Sequence, residues 1–268
     1  MARYKNKVVF NDHSDPNERK SGFIPWCYYK FFYFFYQLFL KNRYTIVVPD
    51  SSTVSELIAR YGKSIDASIT ECPLGYNSSI FNENNNNRIK DRPLIIGFAG
   101  KINPKKNLEK LISASLKFEE SEIEICLVGF SKGEPSAYQK SLLEYIGSLG
   151  RKNIKTSSFL SDPTELSKFY SSIDVAVFPG AISITTLEAS GCGTPVLIYE
   201  SYPGLNTRVD NGRGYLFTQQ EELVGLIKHY LIMKKNSGID HASISKNSCH
   251  YSWSELKKLY YHIYGFSS

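Results

Sequence analysis

The chain has 268 residues, 42% of them hydrophobic, and a formal net charge of +6. That is length and apolar content enough for one large or two small domains, and the mild basic excess suits phosphate ligands or an anionic membrane surface. The charge is too diffuse for nucleic acid, and no RNP-like, zinc-finger or helix-turn-helix pattern is present. The five cysteines (Cys27, Cys72, Cys126, Cys192, Cys249) are scattered. No C-x-x-C exists, so neither a zinc site nor a disulfide framework is indicated. A reduced, cytoplasmic compartment is the expectation, and the start, M-A-R-Y-K-N-K-V-V-F, carries no apolar signal core.

In chain order, Lys7 to Phe10 predicts a strand, followed by a polar loop from Asn11 to Pro16. Next comes F-I-P-W-C-Y-Y-K-F-F-Y-F-F-Y-Q-L-F-L, Phe23 to Leu40. Its 18 residues approach the roughly 20 that a spanning helix needs. Lys30, Gln37 and the polar tips of Trp26, Tyr28, Tyr29, Tyr33 and Tyr36 suit a half-wet surface instead. Three readings stay open: a helix buried or covered by a partner, a peripheral membrane contact, and a span. Tyr44 to Val48 predicts a strand, Thr53 to Tyr61 a helix and Ser68 to Cys72 a strand. Asn82 to Arg92 has no apolar period and the composition of a linker.

From Pro93 the alternation is regular. Leu94 to Phe98, Ile123 to Val128, Ile154 to Ser157, Val175 to Phe178 and Val196 to Tyr199 predict strands with helices between them. Such alternation means an α/β fold, a parallel sheet covered on both faces. Gly214 to Phe217 predicts a last strand, Glu221 to Met233 a helix, and Trp253 to Tyr264 an amphipathic helix.

Two stretches carry chemistry. The first is G-K-I-N-P-K-K-N-L-E-K-L-I, Gly100 to Ile112. Asn103 is a good N-cap and Pro104 a good first helical residue. Lys105 and Lys106 then fall in the first helical turn, where the dipole disfavours cations by a few tenths of a kcal/mol or more. Either an anion is held there, or this is a solvated basic helix start. The second is D-V-A-V-F-P-G-A-I-S-I-T-T-L-E-A-S-G-C-G-T-P-V-L-I-Y, Asp174 to Tyr199. It reads as a strand stopped by Pro179-Gly180, a helix from Ser183 to Ala189 closed by Gly191 and Gly193, and a second strand. The N-terminus of that helix should face the carboxyl edge of the sheet, where anions bind. Glu188 lies within reach of this edge, although Thr185-x-x-Glu188 also reads as a capping box.

P-G-A-I-S-I-T-T-L-E-A-S-G-C-G-T-P-V resembles the donor-site signature of retaining glycosyltransferases of family 4, the glycosyl transferases group 1. The resemblance implies an α/β, GT-B-like fold with a Rossmann-like C-terminal domain and a partial N-terminal one. The implied organisation is a partial N-terminal domain over 1–81, a linker over 82–92, a nucleotide-sugar-binding domain over 93–250, and a C-terminal helix, 251–268, that returns to the N-terminal domain. E-C-P-L-G-Y-N-S-S-I-F-N, Glu71 to Asn82, is similar to the family's I-P-N-G-V-D-x-x-x-F. The family pattern begins upstream of this chain, so the N-terminal domain is expected to be shortened.

By the same resemblance, Gly100, Lys101 and Lys106 match the family's G-R-L-x-x-x-K-G, whose cations clamp the donor's pyrophosphate. Lys at 101 keeps the charge but not the fork of an arginine. Glu188 matches the carboxylate that accepts the ribose hydroxyls. The N–H groups of Ile182, Ser183, Ile184 and Thr185, with the Ser183 and Thr185 hydroxyls, complete the cradle. His13 matches a loop histidine facing the donor sugar. Glu188 and His13 are thus the candidate catalytic residues. At Gly180 this chain departs from the family, which has a glutamate there that contacts the sugar.

The implied activity is retaining transfer of a sugar from a nucleotide diphosphate sugar to a glycan or lipid-linked acceptor. The nucleotide sugar is then a substrate, and no cofactor or metal is expected. A homo-oligomer or partner subunit, and peripheral membrane contact through 23–40, complete the expected partners. The competing reading is a non-catalytic nucleotide-sugar-binding subunit that needs a second chain. A Rossmann dehydrogenase is disfavoured, because no G-x-G-x-x-G follows a first strand.

Overall fold

The computed structural model describes residues 8–11, 27, 30–31, 34–35, 38, 44–49, 54–55, 57–58, 69–83, 88, 91–201, 204–236 and 238–264. Its contacts divide the chain into two compact units, one of Met1–Leu74, Tyr202–Gly204 and Glu255–Ser268, the other of Gly75–Ser201 and Leu205–Ser254.

In the first unit, β1 (Val8–Asn11), β2 (Tyr44–Val48) and β3 (Ile69–Glu71) form a parallel sheet in that order. Ile46, Val47 and Val48 are fully buried, as a strand covered on both faces requires. Ile263, near the end of the helix Trp253–Tyr264, packs with Val47 and Cys72. Of the aromatic segment 23–40, Cys27, Lys30, Phe31, Phe34, Phe35 and Leu38 are helical. Phe31, Phe34 and Leu38 are more than half exposed. The rest of that segment lies outside the described residues. Among the described residues, no helix is long and apolar enough to cross a membrane.

The second unit holds a six-stranded parallel sheet. Its strands are β4 (Leu94–Ala99), β5 (Ile123–Phe130), β6 (Ile154–Ser158), β7 (Val175–Phe178), β8 (Val196–Tyr199) and β9 (Gly214–Phe217). Their order is β6-β5-β4-β7-β8-β9, every pairing parallel. The central strands β4, β7 and β8 read as apolar runs because both faces are covered, and Ile96, Val177 and Leu197 are fully buried. The unit's helices are α1 (Leu108–Ser115), α2 (Ala137–Ser148), α3 (Pro163–Ser172), α4 (Thr185–Gly191), α5 (Gln220–Asn236) and α6 (His241–Ser248), while α7 (Trp253–Tyr264) belongs from Glu255 onward to the first unit. They fall into packed groups, α1 on α5 and α4 on α3 and α6.

Caps set the helix starts. Ser136 accepts from the Gln139 N–H, Asp162 from that of Thr164 and Asp240 from that of Ser243. Two expected starts differ. Asn103 does cap Pro104, but the chain makes only a 3-10 turn, Pro104–Lys106. Asn107 then takes a left-handed conformation (φ 51°) and its N–H bonds the Pro104 carbonyl, so α1 begins at Leu108. Lys105 and Lys106 therefore lie in a tight turn ahead of the helix, not in its first turn. Likewise α4 starts at Thr185 rather than Ser183, with Ile184 as N-cap and no side-chain cap bond.

Candidate functional site

Strand order reverses between β4 and β7: β5 and β6 extend the sheet one way, β8 and β9 the other. The crevice outside the carboxyl ends of such a pair is where open α/β sheets take ligands. The loop after β4 begins at Gly100, whose φ of 153° favours glycine. Lys101 is exposed beside it. Asn103 Oδ1 accepts the Lys105 N–H at 3.0 Å and fixes the turn. Lys106 Nζ then reaches the carbonyl oxygen of Ala181, 2.6 Å away in the loop after β7. A cation bonded to a carbonyl there carries little of the dipole cost expected of a helix start.

The β7 loop answers with its own bond, from the Ala181 N–H to the Lys105 carbonyl at 2.8 Å. Beyond it, the N–H groups of Ile182, Ser183, Ile184 and Thr185 donate to no described group. The Ser183 and Thr185 hydroxyls are 2.6 Å apart, and Thr186 Oγ1 donates to the Ser183 carbonyl at 3.0 Å. The capping box expected of Thr185 and Glu188 does not form. Thr185 already lies inside the helix, and the Glu188 N–H bonds the Ile184 carbonyl at 3.2 Å.

The Glu188 carboxyl is thereby left without a hydrogen bond or ion pair among the described residues. It is half-buried, and desolvation pushes its pKa up to about 7. Beneath it lies Tyr170 of α3, fully buried, with a hydroxyl that has no hydrogen-bond partner among the described residues. Thr185 is within reach of that hydroxyl but forms no well-shaped bond with it. Burial, and then the charge of Glu188, hold the phenol well above its ordinary pKa.

Of the residues singled out in the sequence, Lys106 is joined by these bonds to Ala181, the residue just ahead of 182–188. Gly100 and Lys101 stand at the neighbouring strand end, without a bond to that group. His13 lies outside the described residues. Tyr170 was not singled out, since a buried tyrosine on a helix carries no sequence signal of its own.

A cavity of about 1050 Å³ lies at the opposite, amino edge of the same sheet, lined by Arg88, Arg92, Asp174, Lys234 and His241 among others. Its buried charges are already engaged. Asp174 binds Arg92 at 2.9 Å and Lys234 at 2.7 Å, and His241 Nδ1 is 2.8 Å from the Gly193 carbonyl. At the carboxyl edge the half-buried Glu188 carboxyl has no partner among the described residues, and that edge is the candidate site.

The family described as glycosyl transferases group 1 matches residues 79–248. The chain belongs to that family. A curated relative, D-inositol 3-phosphate glycosyltransferase of Paenarthrobacter aurescens, is 24% identical over 227 residues, 80% of this chain and 51% of that protein. The chain thus spans about half the length of this relative. Among solved glycosyltransferase structures, sucrose-phosphate synthase of Thermosynechococcus elongatus superposes with a TM-score of 0.75 at 19% identity, over 96% of this chain and 68% of that one. HepE of Anabaena, solved in complex with UDP and glucose, gives 0.73 at 14% identity over 96% and 71%. The α/β, GT-B-like fold class expected from the sequence is that of these neighbours.

Proposed function

We propose that this group 1 chain binds a nucleotide diphosphate sugar at the carboxyl ends of β4 and β7. On this reading it transfers the sugar, with retention, to a glycan or lipid-linked acceptor. The observation that carries the reading is the half-buried Glu188 carboxyl, without a partner among the described residues, in the first turn of the helix that follows the Lys106–Ala181 bond and the N–H groups of Ile182 to Thr185. A carboxylate next to anion-binding groups is poorly placed for its own structure. It is well placed for a ligand that offers hydroxyls on one side and phosphates on the other.

In this proposal Lys101 and Lys106 stabilise charge on the leaving diphosphate, helped by the N–H groups of Ile182 to Thr185. Glu188 accepts the ribose hydroxyls, and His13 is the second catalytic candidate. The acceptor oxygen bonds the anomeric carbon as the bond to the diphosphate oxygen breaks, and the acceptor proton passes to that leaving oxygen. The nucleotide sugar is the substrate, not a cofactor. Self-association or peripheral membrane contact through 23–40 belongs to the same proposal. Sedimentation with and without anionic liposomes tests it.

Titration with UDP, GDP, ADP and the corresponding nucleosides tests the site. Lys101→Ala and Lys106→Ala should each cost diphosphate binding about 1.5–3 kcal/mol and leave the nucleoside nearly untouched. Equal losses for both ligands would sink the assignment. A second reading, a binding subunit that needs a partner chain, is favoured by Gly180, where no carboxylate stands. Turnover by the purified chain alone would end it.

A further inference from the structure

The two loops of the candidate site meet backbone to backbone. Gly180 directly precedes Ala181, whose N–H bonds the Lys105 carbonyl and whose own carbonyl accepts from Lys106 Nζ. A methyl group at Gly180 would overlap the Lys105 carbonyl oxygen and stand 2.8 Å from the carbonyl carbon and oxygen of Lys106. Both obstacles are main-chain atoms. The Asn103 cap, Pro104 and the left-handed Asn107 hold them in place, so they cannot swing aside as a side-chain tip would. The loops can approach this closely only because residue 180 has no Cβ.

We propose that Gly180 is a positioning residue, whose missing side chain lets the β4 and β7 loops clasp into a single diphosphate cradle. The clasp sets the distance between Lys106 and the N–H groups of Ile182 to Thr185, which lie on different loops. The inference rests on the reading of that site as a diphosphate site. It also changes the meaning of the glycine, which is a required contact rather than a gap left by a lost carboxylate. A glutamate placed there pushes the loops apart instead of adding a grip.

The test uses the full chain with Gly180→Ala, Gly180→Glu and Lys106→Met. Hydrogen exchange across 179–187, without ligand, reads the Ala181 N–H. It should be protected in the wild type and lose about tenfold or more of that protection in both Gly180 variants. Affinity for whichever of UDP, GDP or ADP binds best should fall about tenfold or more, as overpacking against rigid atoms implies. The matching nucleoside should change by less than about threefold. Gly180→Glu should bind no better than Gly180→Ala. Lys106→Met keeps the backbone contact, so its Ala181 amide should stay protected while diphosphate affinity drops. That variant keeps the proposal readable if the Gly180 variants do not fold, and an unprotected amide in it would overturn the clasp. Unchanged exchange in Gly180→Ala, or Gly180→Glu binding as tightly as wild type, also overturns it. Wild type that binds none of the three nucleotides overturns both this inference and the site reading. Wild type that binds, with Gly180→Ala binding equally, overturns this inference alone.

Discussion

Glu188 and His241 carry opposite pKa shifts, and the pair shapes how stability responds to pH. Burial pushes Glu188 up to about 7. Burial first, then the Arg88 charge, pulls His241 down to about 4. Between about pH 4.5 and 7 the folded state holds a proton on Glu188 that the unfolded state has lost, so this group's contribution falls as pH rises. Between about pH 4 and 6.5 the unfolded state holds a proton on His241 that the folded state lacks, so this contribution rises with pH. In the shared window the two slopes oppose each other. Glu188→Gln removes one of them. Relative to wild type, the variant should be more stable at pH 8 by about 2 kcal/mol, after discounting for partial exposure. That advantage should vanish by pH 4.5. Urea unfolding of both proteins across this range measures it, and parallel profiles would show that the Glu188 carboxyl is not desolvated. Its binding role predicts the opposite sign. Nucleotide affinity should rise with pH through about 7 as the carboxylate ionises, and in Glu188→Gln it should be weaker and flat. The same substitution thus stabilises the fold and weakens the site.

Among elements, α3 and α4 share one cation at their carboxyl ends. Arg88 Nε donates to the Ile173 carbonyl at 3.1 Å, and Nη2 donates to the Cys192 carbonyl at 3.0 Å and to Thr194 Oγ1 at 2.8 Å. Cys192 and Ile173 are the C-caps of α4 and α3, so a guanidinium sits where both helix dipoles favour positive charge. Desolvation lowers its pKa to about 10, still well above neutrality. Arg88→Ala should cost about 2–4 kcal/mol, because several buried acceptors lose their donor together. Arg88→Lys, with one compact head group, should recover only part of this. Thermal melting of the three proteins gives the order. None of this was legible in N-E-N-N-N-N-R-I-K-D-R, which read as linker because an arginine bonded to carbonyls leaves no periodic trace. The strands were legible, because β4, β7 and β8 are buried on both faces and must be apolar runs. Helix starts were less so. Asn103 and Pro104 gave a correct cap, yet nothing in the sequence marked Asn107 as left-handed and the helix as starting one residue later. The helix α6 (S-I-S-K-N-S within it) was missed, although Asp240 supplied a cap, because its apolar face amounts to little beyond Ile244.

At the scale of the whole molecule, the larger unit separates what holds it from what it offers to a ligand, one at each edge of the same sheet. At the amino edge, Asp174 is buried and accepts from Arg92, Lys234 and the Ile95 N–H at 2.9, 2.7 and 2.8 Å. It thereby ties the start of β4, the start of β7 and the end of α5. At the carboxyl edge, Glu188, Lys101 and the N–H groups of Ile182 to Thr185 have no such engagement. Removing one member of a buried ion network leaves the other charges desolvated and unpaired, a loss of about 3–5 kcal/mol. Asp174→Ala should therefore destabilise strongly, and Asp174→Asn less, since an amide oxygen still accepts from the Ile95 N–H. Neither change touches the loops after β4 and β7. Below its own unfolding transition, Asp174→Asn should bind nucleoside diphosphate within about twofold of wild type, because sites this far apart without shared partners add independently. Lys106→Ala should show the reverse, with a small change in melting and a large loss of affinity. Melting and titration on these two variants suffice. A loss of nucleotide affinity in Asp174→Asn as large as that in Lys106→Ala would mean that the two edges are coupled through the sheet, and that stability and binding are not built separately in this chain.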